Sequence, residues 1–261
     1  MYNLNKKTGC DILKLRDPRP INTVKSIIKK VFKGKENISD TKLFRKKLLK
    51  CQDLINKAHV HREIIFSNKD YFKNLLGVNK LEKDMSVQTV IYFRGVRPKK
   101  AKKSEYLDFH RENFYNDSSY IEKQINIHIP VKNYNLKNSL KYIKASHLIP
   151  DKKLTLMKLN SRQSGIKRFS TGHKLGITYH PKKITSGINF NKAKRLNIST
   201  NKAFVFSARL LHGGGVNLSN KTRFSLDFGI LKTKDIKNDQ KKAHFASYHK
   251  SKKHYIDLKN L

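Results

Sequence analysis

Hydrophobic positions fall into two textures along this chain. Up to about residue 85 they recur at three- and four-residue spacings inside lysine-rich segments, the period of helices that bury one face. "TVKSIIKKVFKG" and "DTKLFRKKLLKCQDLINKAHVHREIIF" both show it, and in the second Leu43, Leu48, Leu49, Ile55 and Val60 roughly share a face. "SNKDYFKNLLG" predicts a further short helix, with Ser67 or Asn68 as cap and Gly77 as stop. From residue 86 the period shortens to two. "SVQTVIYFRGV" is β-branched and aromatic and predicts a strand ended by Gly95 and Pro98; "EYLDFHREN" predicts the next. "KQINIHIPV" alternates, with Ile125, Ile127 and Ile129 on one face and Gln124, Asn126 and His128 on the other. "SLKYIKAS", "KAFVFSARLLH" and "TRFSLDFGIL" follow as strands, the last two joined through Gly213-Gly214-Gly215.

These patterns predict a helical N-terminal layer over residues 1–85 and a β core over 86–232, as a barrel or sandwich. The core carries a long polar insertion at about 150–197, and residues 233–261 read as a polar tail. The length, 261 residues, suits one domain with a sizeable core. No apolar run is long enough to span a bilayer, and the first twenty residues lack a signal-peptide block, so a cytoplasmic location is expected. Cys10 and Cys51 form no metal-binding pattern, and a reducing compartment suits them.

Charge changes the picture less than its size suggests. Lys and Arg number 58 against 19 Asp and Glu, a net +39. Nucleic-acid binding without catalysis is therefore one reading, and an enzyme that acts on nucleic acid is another. The basic residues are spread over the whole chain, however, and lysine dominates over arginine, the residue that forks onto phosphate and base edges. The expectation is weak non-specific attraction to polyanions and a preference for anionic small molecules, without specific nucleic-acid recognition.

The tripeptide HRE occurs twice, at His61-Arg62-Glu63 and His110-Arg111-Glu112. On a helix, residues i and i+2 lie about 200° apart, so His61 and Glu63, or His59 and His61, cannot converge on one ion, and the first copy is expected on a solvated face. On a strand they share a face, so His110 and Glu112 can reach one point. A strand-end His212 supplies a third candidate ligand, and Arg223 lies in the strand beyond the glycine turn. Two histidines and a glutamate would also suit zinc, but no HExxH is present and zinc leaves Arg223 and Ser225 unexplained. The glycine triplet joins two apparent strands, so a phosphate loop does not fit.

His110-x-Glu112, the distal His212 and Arg223 eleven positions later resemble the pattern of non-haem iron, 2-oxoglutarate-dependent oxygenases, and among them the phytanoyl-CoA dioxygenase superfamily. "QINIHIPV…NSLKYIKASH" is similar to that family's strand, turn and "NGxLxxxPGSH" segment, with Ser139 where Gly is usual. "RLLHGGGVNLSNKTRFSLDFGIL" resembles its closing "LHGS…NxSxxxRxSxxF". The family's usual carboxylate is Asp; Glu112 is longer by one methylene. The resemblance covers about residues 86–232 and implies a double-stranded β-helix (a jelly roll, cupin-like). It implies Fe(II) held by His110, Glu112 and His212, with 2-oxoglutarate as co-substrate anchored by Arg223 and Ser225, Asn126 adding a hydrogen bond, and O2 as oxidant. The implied reaction is hydroxylation of a small molecule such as a sugar, amino acid or natural-product intermediate; retention of the carboxylate disfavours halogenation. In the insertion, Arg162, Lys167, Arg168 and His173 are candidates for greeting an anionic substrate.

Overall fold

The computed structural model describes residues 2–98, 108–115, 119–158, 166–167, 169–177, 182–236 and 253–261. The helical periodicities become α1 (Arg19–Phe32), α2 (Thr41–Lys57), α3 (Val60–Ser67), α4 (Lys69–Leu76) and the short α5 (Leu81–Asp84). Asp40 caps α2 by accepting from the Leu43 amide at 2.8 Å, and Gly77 closes α4 in the left-handed conformation. The second predicted helical stretch is not continuous. It turns at Ala58–His59, where His59 adopts φ 47°, and α3 leaves in a new direction. Leu43 lies exposed, and Phe44, Leu48, Cys51 and Ile55 form the buried face of α2.

The strands are β1 (Cys10–Lys14), β2 (Met85–Gln88), β3 (Tyr92–Val96), β4 (Ile125–Lys132), β5 (Lys141–Tyr142), β6 (Thr155–Lys158), β7 (Lys182–Ser186), β8 (Lys194–Arg195), β9 (Lys202–Ser207), β10 (His212–Gly213), β11 (Arg223–Lys232) and β12 (Tyr255–Asp257). Seven form one antiparallel sheet in the order β1-β9-β4-β11-β2-β12, with β3 also paired to β11. β10, β5 and β8 form a small second sheet, and β6 pairs with β7. The architecture is therefore mixed helix and antiparallel sheet. Two strands of the large sheet come from outside the predicted β region: β1 lies within the segment read as helical, and β12 within the segment read as tail. The insertion also contains order that its composition hid, since β6, β7 and β8 all lie in it.

The alternation in β4 and β11 sorts the two faces of this sheet. Ile125, Ile127, Ile129 and Val131 join Phe224, Leu226, Phe228 and Ile230 in a core shared with α1 to α4. Phe224 is at its centre: Phe93 stacks on it at 5.4 Å and Phe32 meets it edge-on at 5.4 Å. Burying one such ring stabilises the fold by about 1.5–3 kcal/mol. The intervening residues, Gln124, Asn126 and His128 of the β4 region and Arg223, Ser225 and Asp227 of β11, gather on the other face.

Candidate metal centre

His110 and His212 come together through a two-residue antiparallel bridge, with the His110 amide on the His212 carbonyl at 2.9 Å and the reverse bond at 3.2 Å. The predicted strand "EYLDFHREN" is not one in its described part, and residues 105–107 lie outside the described residues. Instead Arg111 is extended and Glu112 opens a short 3-10 turn, its amide donating to Ala208 O at 3.1 Å. One extended residue suffices to keep residues i and i+2 on the same side. Arg111 points the other way, fully buried against Asp151, Ser146 O and Ile149 O. Gly213 makes the approach possible, because a Cβ there would stand 2.8 Å from the Asp108 carbonyl carbon and 2.9 Å from the Phe109 nitrogen.

The candidate ligand atoms of His110, Glu112 and His212 all lie within 4.8 Å of one another. Glu112 Oε1 is 3.9 Å from His110 Nε2 and 3.4 Å from His212 Nε2. Both imidazoles are oriented from behind: His110 Nδ1 lies 2.7 Å from Asp108 O and His212 Nδ1 2.9 Å from Leu210 O. A carbonyl only accepts, so these contacts assign the proton to each Nδ1 and leave each Nε2 as a bare lone pair. Two lone pairs and a carboxylate oxygen thus face one point, an arrangement that a cation stabilises and that fits a metal site of two histidines and one carboxylate.

Electrostatics agree with that assignment. Burial, reinforced by His212, pushes His110 down to about 4, against the pull of Glu112 and the bond to Asp108. For Glu112, burial acts to raise the carboxyl and the positive charge of Arg94 acts against it. Phe206 packs edge-on against His212 at 4.6 Å and covers one side of the site.

The same cavity holds Arg223, only 3% exposed. Its Nη1 donates to Ser225 Oγ at 2.8 Å, its guanidinium lies over the Tyr134 ring at 5.7 Å, and its buried Nε has no hydrogen-bond acceptor among the described residues. Burial lowers its pKa, opposed by Tyr134 and Asp227. Asp227 itself is engaged by His128 Nδ1 at 2.6 Å and Arg94 Nε at 3.2 Å. A buried guanidinium with one hydroxyl and no carboxylate in contact among the described residues can receive an anion.

The structure places other sequence candidates differently. Asn126 directs its amide nitrogen to Glu112 Oε1 at 3.4 Å, so it acts on the candidate ligand. His128 is neither at a mouth nor loose: Tyr134 Oη lies 3.0 Å from its Nε2, and burial lowers its pKa despite Asp227. Tyr134 in turn accepts from the Leu140 amide at 2.9 Å, so its hydroxyl proton faces the imidazole. His61 of the first HRE is buried, edge-on to Phe228 at 5.9 Å, and only Arg62 and Glu63 are solvated as expected. Of the insertion's basic residues, Lys167 is exposed, His173 is buried, and Arg162 and Arg168 lie outside the described residues. Asp227 and Arg94 escape the sequence reading, although the period-two pattern from Arg223 puts Asp227 on the site face, and Gly213 is read there only as part of a turn.

No protein-family model matches the chain, and no curated protein matches it in sequence. Solved structures do resemble it. EvdO2 from Micromonospora carbonacea var. aurantiaca superposes with a TM-score of 0.59 at 11% identity, covering 87% of this chain and 89% of that one. The same protein complexed with 2-oxoglutarate gives 0.55 at 12% identity, covering 89% and 95%. Apo ThoJ, a non-heme monooxygenase, gives 0.51 at 13% identity, covering 87% and 75%. At these identities the likeness is one of fold.

Proposed function

We propose that this chain is a non-haem, Fe(II)- and 2-oxoglutarate-dependent dioxygenase that hydroxylates a small molecule, built on a double-stranded β-helix of the phytanoyl-CoA dioxygenase kind. The observation that carries the reading is the pairing of two groups in one cavity: His110, Glu112 and His212 converge on one point, and Arg223, whose Nε has no partner among the described residues, lines the same cavity. The structure of EvdO2 with bound 2-oxoglutarate, on a similar fold, supports the same reading.

Each residue then has a task. His110, Glu112 and His212 would hold the metal, and the carbonyl-bound Nδ1 atoms of the two histidines keep their rings aimed. Arg223, with Ser225 beside it, receives the far carboxylate of the keto acid through planar paired bonds that lysine would not reproduce. Asp227 holds His128 and Arg94 fixed at the cavity wall. Phe206, Leu140 and Ile177 limit water at the site. When bound, ferrous iron with open coordination positions supplies the capacity to use a keto acid and O2 in oxidising a C–H bond.

Anaerobic addition of Fe(II) and 2-oxoglutarate should produce a weak visible charge-transfer band, and a substrate screen should release succinate. His110→Ala and His212→Ala should abolish both, while Arg223→Ala should weaken keto-acid binding far more than iron binding. A wild-type protein giving no band under saturating Fe(II) and 2-oxoglutarate contradicts the reading.

A further inference from the structure

Glu112 is held by more than its neighbours in sequence. The flanking imidazoles of His110 and His212 direct their Nδ1 atoms away from it, to the Asp108 and Leu210 carbonyls. Among the described residues the side chain that donates to it from outside the histidine pair is therefore Asn126, whose Nδ2 lies 3.4 Å from Oε1. That contact fixes which way the Asn126 amide faces, leaving Oδ1 to accept from Gln124 Nε2. Gln124 then presents Oε1, which accepts from the hydroxyl of Tyr255. Exposure falls along the series, from 7% at Asn126 and 2% at Gln124 to 0% at Tyr255. Burial keeps the tyrosine hydroxyl protonated, and hence a donor, by raising its pKa well above the ordinary value.

A second observation, on a different strand, is that the sheet leaves room for this series. Gly229 of β11 lies opposite Asn126 in register. A Cβ at Gly229 would stand 2.7 Å from Gln124 Cδ, 2.8 Å from Gln124 Nε2 and 2.8 Å from Tyr255 Oη. Its amide is anchored by Gln88 Oε1 at 2.7 Å, and Gln88 is the register partner of Tyr255 between β2 and β12.

We infer that Tyr255, on the last strand of the chain, is a positioning residue for Glu112, acting through Gln124 and Asn126 in a directional relay of three hydrogen bonds. The inference rests on the reading of Glu112 as a metal ligand. Removing the hydroxyl frees Gln124 to rotate, the Asn126 amide loses its enforced orientation, and the carboxylate loses its aim.

The test uses the full-length protein and Co(II) alone, followed by its visible absorption. Asn126→Ala, which removes the direct contact, should weaken Co(II) binding 10- to 100-fold, roughly the range for partners of metal ligands. Tyr255→Phe keeps the ring and should weaken it by about 3- to 10-fold, a smaller effect from the same chain of partners. The double variant should bind no more weakly than Asn126→Ala, since the relay is already cut. Gln124→Met cuts it one link nearer, serves if Tyr255→Phe does not fold, and should match or exceed Tyr255→Phe. Unchanged Co(II) affinity and band in a folded Tyr255→Phe or Gln124→Met protein, or additive losses in the double variant, would overturn the relay while leaving the metal site intact. A wild-type chain that binds no Co(II) would overturn the metal reading, and the relay with it.

Discussion

Replacing Arg223 with methionine should separate stability from binding, and the two should move in opposite directions. Arg223 is 3% exposed, and among the described residues its guanidinium makes one hydrogen bond, to Ser225 at 2.8 Å. Keeping an incompletely paired ion out of water costs several kcal/mol, and methionine of similar length removes that cost. Against this stand about 1 kcal/mol for the Ser225 bond and about 0.5–1 kcal/mol for the contact with Tyr134. The protein without co-substrate should therefore be unchanged in stability or more stable by about 1–3 kcal/mol. Binding of 2-oxoglutarate should lose about 2–5 kcal/mol, the usual cost of truncating one partner of a buried charge pair, or roughly 30- to 5,000-fold in dissociation constant. Arg111 is the internal control. It too is buried, and its Nε likewise lacks a partner among the described residues, but Asp151 and two carbonyls engage both Nη groups, so Arg111→Met should lose about 1–3 kcal/mol, a range that allows for the 40% exposure of the Asp151 side chain. Urea denaturation gives the first quantity and calorimetric titration of 2-oxoglutarate onto the metal-loaded protein the second. If Arg223→Met destabilises as much as Arg111→Met, Arg223 is a structural ion whose partner is already present, and the anion-receptor argument fails.

Phe224→Ala should cost about 3–5 kcal/mol in urea denaturation, because Phe93 and Phe32 would face the space its ring leaves at the junction of sheet and helices. Asp227 is held down to about 2 from 3.8: burial would raise it, but His128, Arg94 and Arg223 prevail. A depressed carboxyl contributes stability that is full above its unfolded value and lost as pH falls through its folded one. Asp227→Asn should therefore be less stable by roughly 1–2 kcal/mol at neutral pH, after allowing for the side chain's opening to the cavity. The difference should shrink between pH 4 and 2, as denaturation at several pH values would show. Tyr134→Phe removes the hydroxyl between His128 and the Leu140 amide, so it should cost about 1–3 kcal/mol in thermal unfolding while the near-ultraviolet signature of the core persists.

The parts of the site legible in the sequence were those set by short-range periodicity. His110 and Glu112 share a side because one extended residue separates them, and that holds in a bridge as well as in a strand. The alternation in "KQINIHIPV" and "RFSLDF" fixed which residues could enter the cavity. What sequence left hidden depends on pairing between distant segments. Tyr255 reaches Gln124 only because β12 docks beside β2, and nothing near Tyr255 in the chain announces a strand of that sheet. The break at His59 and the burial of His61 escaped periodicity for a related reason: α2 and α3 each satisfy the helical pattern, and only tertiary packing sets the turn between them.

β11 lies between β4 on one side and β2 and β3 on the other, and its two faces carry opposite chemistry. A slip of one residue would drive Arg223, Ser225 and Asp227 into the aromatic layer and swing Phe224, Leu226 and Phe228 into the cavity. A chain with that error would bury charge without partners and would not remain folded. Deletions or insertions within residues 223–229 should therefore eliminate the protein rather than yield a folded but inactive one, so quality control in the cell would screen this centre without ever sensing its chemistry.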